Sequence, residues 1–277
     1  MKEIISASRK EDIITSIDRY NFLQNFLVDG NYEINNKYQC KSCKVDLQNI
    51  GAICLWSKNY KNFIDNPGLL DNYNLFFNFT ITGFSKGIEP GVIDTDVAIK
   101  QMEYLANKYG PSVINWRFDP IGLLYNSNDP NPIDCEYLSI QRRFNKLCDA
   151  VSSYGVTRCT ISFIEFYNCV INRLHDLSIK YYDFKDEEKI LLCRRLVEIA
   201  NNYGIQIYSC SSPILEGVNG IKKSSCIDGN LLGDLFNIKF SKAKDAGQRT
   251  HCGCTKSKDI GMYCKCPNKC VYCYGRV

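Results

Sequence analysis

Cys266, Cys270 and Cys273 stand as CPNKCVYC close to the end of the 277-residue chain. Thiolates at this spacing let one loop supply several ligands to a single iron–sulfur cluster. Three of them around four irons leave one iron without a protein ligand, and a small molecule can coordinate there. Zinc also takes thiolates, but zinc ribbons show two Cys-x-x-Cys pairs separated by a strand hairpin, which this tail lacks. The expectation is a 4Fe–4S cluster on Cys266, Cys270 and Cys273.

Other cysteines extend the set. Cys252-x-Cys254 is a tight chelating pair, Cys210 ends an apolar run, and Cys226 opens the helix-like CIDGNLLGDLF. These four can complete a second, fully ligated cluster, suited to electron transfer or substrate positioning because it has no open iron. The alternative is that Cys210 and Cys226 are ordinary buried cysteines. Cys264 is a spare thiol or an alternative ligand. Cys40-x-x-Cys43 looks like half a zinc site with no second pair nearby and reads as incidental. Cys54, Cys135, Cys148, Cys159, Cys169 and Cys193 fall in strand-like or helix-like segments and read as core or surface residues. His175 and His251 sit in no metal or triad pattern, and no phosphate-binding glycine-rich loop occurs, so acid–base work falls to carboxylates, Lys or Tyr.

Composition sets the frame for this chemistry. The 16 cysteines occur in a chain with no signal-peptide pattern and no apolar run near 18 residues. That excludes a membrane span, predicts the cytoplasm, and favours metal ligation over disulfides. Net charge is +4, but Lys239–Val277 holds nine Lys or Arg against two Asp. Such a basic segment attracts an anionic substrate or nucleic acid, or offsets the charge of cluster thiolates.

The elements that must hold these residues follow from periodicity. Helices are expected over Thr95–Tyr109, Cys135–Tyr154 and Asp186–Tyr203, with Asp94 and Asp134 as N-caps. Each ends at a Tyr-Gly pair, where glycine adopts positive φ without cost. Strands are expected over Ile4–Ser8, Ala52–Lys58, Leu75–Thr82, Ser112–Phe118, Arg158–Ile164 and Ile205–Cys210. Apolar runs alternating with helices imply an α/β fold with parallel strands, as a full or partial (β/α) barrel or, in competition, a doubly wound sheet. The expected division is a barrel-like domain over 1–236 and a cysteine-rich segment over 237–277. In either architecture ligands sit at the carboxyl ends of the strands. Those ends carry Ser8-Arg9-Lys10, Ser57-Lys58-Asn59, Thr80, Thr82, Arg117, Asp119, Glu165 and Cys210-Ser211. Lys58, Arg117, Asp119 and Glu165 are the candidate catalytic or substrate-contacting groups; Arg117 reads as a carboxylate or phosphate clamp, or as an ion pair with Asp119 or Glu165.

Extended stretches resemble the uncharacterised family "domain of unknown function eighteen-forty-eight": IISASRKEDI, CLWSKN, FNFTITGF, IEPGV, VINWRFDPI, CTISFIEFY, SCIDGNLL and CGCTKSKDIGMYCKCPNKCVYCY. The resemblance covers nearly the whole chain. Its CVYCY segment is similar to that of radical S-adenosylmethionine (SAM) enzymes of the spore photoproduct lyase branch. This implies a circularly permuted radical SAM barrel, with the cluster loop moved to the end of the chain. It also implies SAM as a cofactor, a reducing electron donor, and reductive cleavage of SAM at the open iron. Only Tyr274-Gly275-Arg276-Val277 follows the loop, so the helix that normally supports it must come from elsewhere or be absent. Cysteines at 40 and 43 depart from the usual family pattern. Two other functions compete: a non-enzymatic iron–sulfur protein for electron transfer or nucleic-acid binding, and a barrel hydrolase or lyase stabilised by zinc.

Overall fold

A computed structural model describes residues 1–36, 39–126, 137–263 and 265–275. Asp134, Cys135 and Cys264 lie outside the described residues, as does the side chain of Cys40. In chain order the elements are β1 (Glu3–Ala7), α1 (Ile17–Asp29), β2 (Asn31–Asn36), β3 (Gln39–Lys44), β4 (Ile50–Ser57), α2 (Lys61–Asp65), β5 (Leu75–Thr80), α3 (Thr95–Tyr109), β6 (Ile114–Ile121) and β7 (Leu123–Asn126). They continue as α4 (Tyr137–Ser153), β8 (Arg158–Phe163), α5 (Asn168–Asp176), β9 (Ile179–Tyr182), α6 (Asp186–Asn202), β10 (Gln206–Cys210), α7 (Pro213–Glu216), β11 (Ile221–Ser224), α8 (Gly229–Phe236) and β12 (Lys258–Asp259).

The six expected strands are β1, β4, β5, β6, β8 and β10, and the three expected helices are α3, α4 and α6. Gly110, Gly155 and Gly204 follow those helices at φ of 90°, 76° and 66°, the conformation the Tyr-Gly pairs imply. Asp94 stands at the N-cap of α3 without a capping hydrogen bond, and its carboxylate meets Lys86 Nζ at 3.0 Å instead. The helix near Cys226 starts later than expected. Asp228 caps it by accepting from the Asn230 and Leu231 amides.

Eight strands form one sheet in the order β11-β10-β8-β6-β5-β4-β1-β12, and every neighbouring pair is parallel. Apart from β12, place in the sheet follows place in the chain. Right-handed crossovers then put every connecting helix on the same face. A doubly wound sheet needs a reversal of strand order, and the strands from β1 to β11 show none. The helices accordingly form a row, with α3 against α4, α4 against α6, and α6 against α7.

The two faces differ in chemistry. Trp116 and Phe118 of β6 point to the helical side, where Trp116 stacks on Phe144 of α4 with centroids 5.3 Å apart. Alternate residues make a buried polar ladder on the other face. Thr160 Oγ1 donates to Asn115 Oδ1 at 2.8 Å, and Asn115 Nδ2 donates to Asn78 Oδ1 at 2.8 Å. Buried polar groups persist only when paired, so this ladder fixes the register of β5, β6 and β8. The next inward residues along these strands are Thr80, Arg117 and Ser162, which begin the polar end of the sheet.

The chain after 236 returns to the first strand. β12 pairs with β1 through Ile5–Lys258 and Ser6–Asp259. Two residues of strand are weak alone, and side-chain bonds hold them: Asp259 accepts from Ser6 Oγ at 2.7 Å, Ser8 Oγ at 2.9 Å and the Arg9 amide at 3.1 Å. Among the described residues, no helix is long and apolar enough to cross a membrane.

Candidate metal centre

The carboxyl ends of the strands open into a cavity of about 710 Å³. Cys210, Cys226, Cys252, Cys254, Cys266, Cys270 and Cys273 all line it, together with Lys58, Arg117, Asp119 and Glu165. No disulfide joins the described cysteines. Cys54, Cys148, Cys159 and Cys193 are buried within strands and helices, Cys169 is exposed on α5, and Cys43 lies in β3 opposite Tyr32.

The terminal triad hangs on a local scaffold. Lys269 accepts the left-handed conformation (φ 50°), and turns close from the Lys269 amide to Cys266 O and from the Cys273 amide to Cys270 O. The segment Ile88–Val92 forms the floor. The Gly91 amide donates to Asn268 O at 3.0 Å, and the Val271 amide donates to Ile88 O at 3.1 Å. A Cβ on Gly91 would stand 1.9 Å from Pro267 O, so only glycine admits the loop this closely. Arg173 of α5 donates to Val271 O and Cys273 O, and Asn268 Nδ2 donates to Asp12 Oδ2 at 2.7 Å. Cys270, Val271 and Tyr272 join Phe84, Ile88, Leu124, Ile164, Val170, Leu174 and Ile179 in a second apolar core. The loop is thus braced by the 84–92 turn and α5.

A buried ion pair lies beneath the triad. Lys58 Nζ meets Glu89 Oε1 at 2.8 Å, and the same oxygen accepts from Thr82 Oγ1 at 2.9 Å and from the Tyr272 hydroxyl. Burial alone would push the Lys58 ammonium down. The Glu89 carboxylate and then Cys270 outweigh it, so the lysine titrates above its ordinary value. Burial pushes the Cys266 thiol up to about 11, with Asp12 adding to it, and the Cys270 thiol up to about 12.

The other four cysteines come from distant parts of the chain. Cys210 ends β10, Cys226 precedes α8, and Cys252 and Cys254 arrive on the tail. Cys210 Sγ and Cys226 Sγ are 3.4 Å apart. Hydrogen bonds from Cys210 and then Cys254 push the Cys226 thiol well below its usual range, with Arg117 and Arg9 adding to the effect against burial. Donation to Cys226 pushes Cys210 and Cys254 the other way, and a hydrogen bond with Cys254 brings Cys252 down to about 6. Asn78 Nδ2 donates to the Cys226 carbonyl at 3.4 Å, tying this group to the polar ladder. Among the described residues, no group of three or more His, Cys, Asp or Glu side chains stands arranged to hold a metal ion.

Arg117 is not an open clamp. It pairs with Asp119, which also accepts from Ser162 Oγ, and its NH1 lies 3.4 Å from Cys226 Sγ. Glu165 is exposed at the cavity and lies near Arg249. The tail's basic residues are dispersed: Lys258 pairs with Glu3, Lys244 donates to Thr250 O, and Arg249 and Lys269 line the cavity. Both tail aspartates, Asp245 and Asp259, meet Arg9.

Sequence reasoning misses Glu89, Asp12 and Glu11. Asp12 accepts from Ser57 Oγ, the Lys58 amide and Asn268, joining β4 to the cysteine loop. Glu11 holds Arg19 of α1 through both oxygens and accepts from the Met262 amide. Carboxylates in turns carry no periodic signal. The one available cue is the run Ser8-Arg9-Lys10-Glu11-Asp12, which is dense in charge directly after an apolar strand.

No curated protein matches the chain. The family described as "Domain of unknown function (DUF1848)" matches residues 4–275, and that span takes in both cysteine groups and every strand of the sheet but the first residue of β1. The chain belongs to this family.

Proposed function

We propose that this protein is an iron–sulfur enzyme of radical SAM type, with a 4Fe–4S cluster held by Cys266, Cys270 and Cys273. The observation that carries the reading is the meeting of all seven selected cysteines in the lining of one cavity at the carboxyl ends of parallel strands. The monotonic strand order supports a partial (β/α) barrel whose polar face surrounds that cavity. Its volume falls within the range of small-molecule sites, about 300–1,000 Å³. The donor set fits: three soft thiols on one loop, beside a buried cation. Ligation requires these side chains to rotate about χ1 from their present hydrogen bonds and to release their protons.

Such a cluster supplies, when bound with SAM, one-electron cleavage of the sulfonium, the electron coming from an external reducing donor. The chain's own residues bind, orient and shield. Lys58 and Glu89 fix Tyr272 and thereby the loop between Cys270 and Cys273. Glu165, exposed at the cavity, is the carboxylate placed to meet a ligand directly. Lys58 and Asp119 are paired and act through the positions they fix. The dispersal of the tail's cations favours charge offset around sulfur over a nucleic-acid groove.

Electron paramagnetic resonance on anaerobically reconstituted, dithionite-reduced protein tests this reading. The expected result is a reduced 4Fe–4S signal that changes when SAM is added, and a C266A/C270A/C273A variant that no longer responds to SAM. A cluster signal indifferent to SAM would move the protein to the electron-transfer class. Metal-replete, soluble protein with zinc and no cluster signal would overturn the reading.

A further inference from the structure

Arg117 has an unusual set of neighbours for a residue at a strand end. Its side chain is 15% exposed, and its guanidinium reaches a carboxylate on one side and a sulfur on the other. Its Nε is buried with no hydrogen-bond partner. Ser211, next to Cys210, takes the left-handed conformation at φ 55°, and its side chain hydrogen-bonds Cys252. A buried guanidinium N–H without a partner beside four cysteines is a cost the fold would not carry without a compensating partner.

The charge balance points the same way. Four thiolates around a dication, or around an oxidised four-iron core, leave a net charge of about −2. A buried net charge needs a counter-charge in contact. Arg9 pairs with Asp245 and Asp259, as Arg117 pairs with Asp119. Arg117 is the cation with an N–H directed at a ligand sulfur.

We propose that Cys210, Cys226, Cys252 and Cys254 form a four-thiolate metal centre of their own, and that Arg117 is its sulfur-bound counter-cation rather than a clamp for substrate. The proposal rests on the second-site reading of these four cysteines and is independent of SAM chemistry at the triad. Ligation requires these side chains to turn from their present thiol–thiol hydrogen bonds; each thiol that ligates gives its proton to solvent, and the Arg117 N–H stays directed at the Cys226 sulfur, then a thiolate. Asn78 holds the carbonyl end of Cys226 while Arg117 holds the sulfur end, so the ladder of β5, β6 and β8 positions this ligand from both sides. Residues that orient metal ligands from behind typically contribute about 10–100-fold to metal affinity.

The test uses zinc alone as the probe, in the full chain carrying C266A/C270A/C273A, with affinity read by competition against a chelator. This background is expected to bind zinc, and adding C226A/C254A is expected to abolish that binding. Adding R117Q/D119N, which removes both charges of the pair together, is expected to weaken zinc about 10–100-fold. Adding D119N alone leaves the guanidinium on Cys226 and is expected to keep the parent affinity or tighten it. Zinc bound as tightly with C226A/C254A as without would overturn the four-cysteine site itself. Zinc bound at that site equally well with R117Q/D119N, or weakened as much by D119N alone, would leave the site standing and overturn the role of Arg117. Circular dichroism confirms that each variant is folded before its affinity is read.

Discussion

The two cysteine groups share one cavity but are built in opposite ways. Cys266, Cys270 and Cys273 lie within eight consecutive residues on a loop folded by its own turns and braced by a glycine contact and a buried ion pair. Cys210, Cys226, Cys252 and Cys254 come from the end of a strand, the entry to a helix and the returning tail. Ligation at the first closes a short loop that is already folded. Ligation at the second ties together segments that are far apart in sequence, and the entropy lost by the unfolded chain is correspondingly greater. The difference teaches that proximity in sequence makes a site easy to find, while separation makes it important to stability.

The widest split between the groups is thermal. Metal-replete C226S/C254S is expected to melt about 15 °C below the wild type, an effect of about 5 kcal/mol. C266S/C270S/C273S is expected to lose only a few degrees. Scanning calorimetry decides it, and equal shifts would break the contrast.

A smaller effect isolates the triad. Glu89→Gln leaves the Lys58 charge buried without its partner and is expected to cost about 3–4 kcal/mol by chemical denaturation. The double change K58M/E89L removes both charges and is expected to recover most of that loss. In E89Q, metal at the triad is expected to fall while metal at the four-cysteine group stays, as metal analysis in each single-site background would read.

The mildest change is Gly91→Ala. Its methyl group must displace Pro267 from 1.9 Å, and crowding of this kind costs about 1–3 kcal/mol. The expected readout is weaker iron retention at the triad, with unchanged zinc affinity at Cys210, Cys226, Cys252 and Cys254.

Much of this frame is legible in the residues, because apolar runs and Tyr-Gly endings report local physics. β1, β4, β5, β6, β8 and β10 are continuous apolar strands, and α3, α4 and α6 end at glycines with positive φ. Helix α1 carries the same kind of signal: Ser16 caps it, Tyr20, Leu23, Phe26 and Leu27 bury one face, and Gly30 ends it at φ 76°. It is nonetheless absent from the expected elements. β12 is different in kind. Lys258 and Asp259 have no strand propensity, and they pair with β1 because Ser6, Ser8 and Arg9 grip the carboxylate of Asp259. The choice between barrel-like and doubly wound was equally hidden, since strand order is a property of pairing and not of any one strand. For the candidate site, the spacing of CPNKCVYC singles out the triad. Nothing local ties Arg117 to Cys226, which lies 109 positions later.

The place of β12 has a consequence for how the protein is made. During synthesis the sheet from β1 to β11 can form while one side of β1 still lacks its neighbour, leaving open backbone groups at Ile5 and Ser6 that invite pairing with other chains. The stretch that covers this edge sits between two groups of cavity cysteines, with Cys252 and Cys254 before it and Cys266, Cys270 and Cys273 after it. Arrival of the last cavity cysteines and protection of the edge are therefore one event. A chain halted before residue 252 would lack five of the seven cavity cysteines and would leave this edge of β1 bare to other chains.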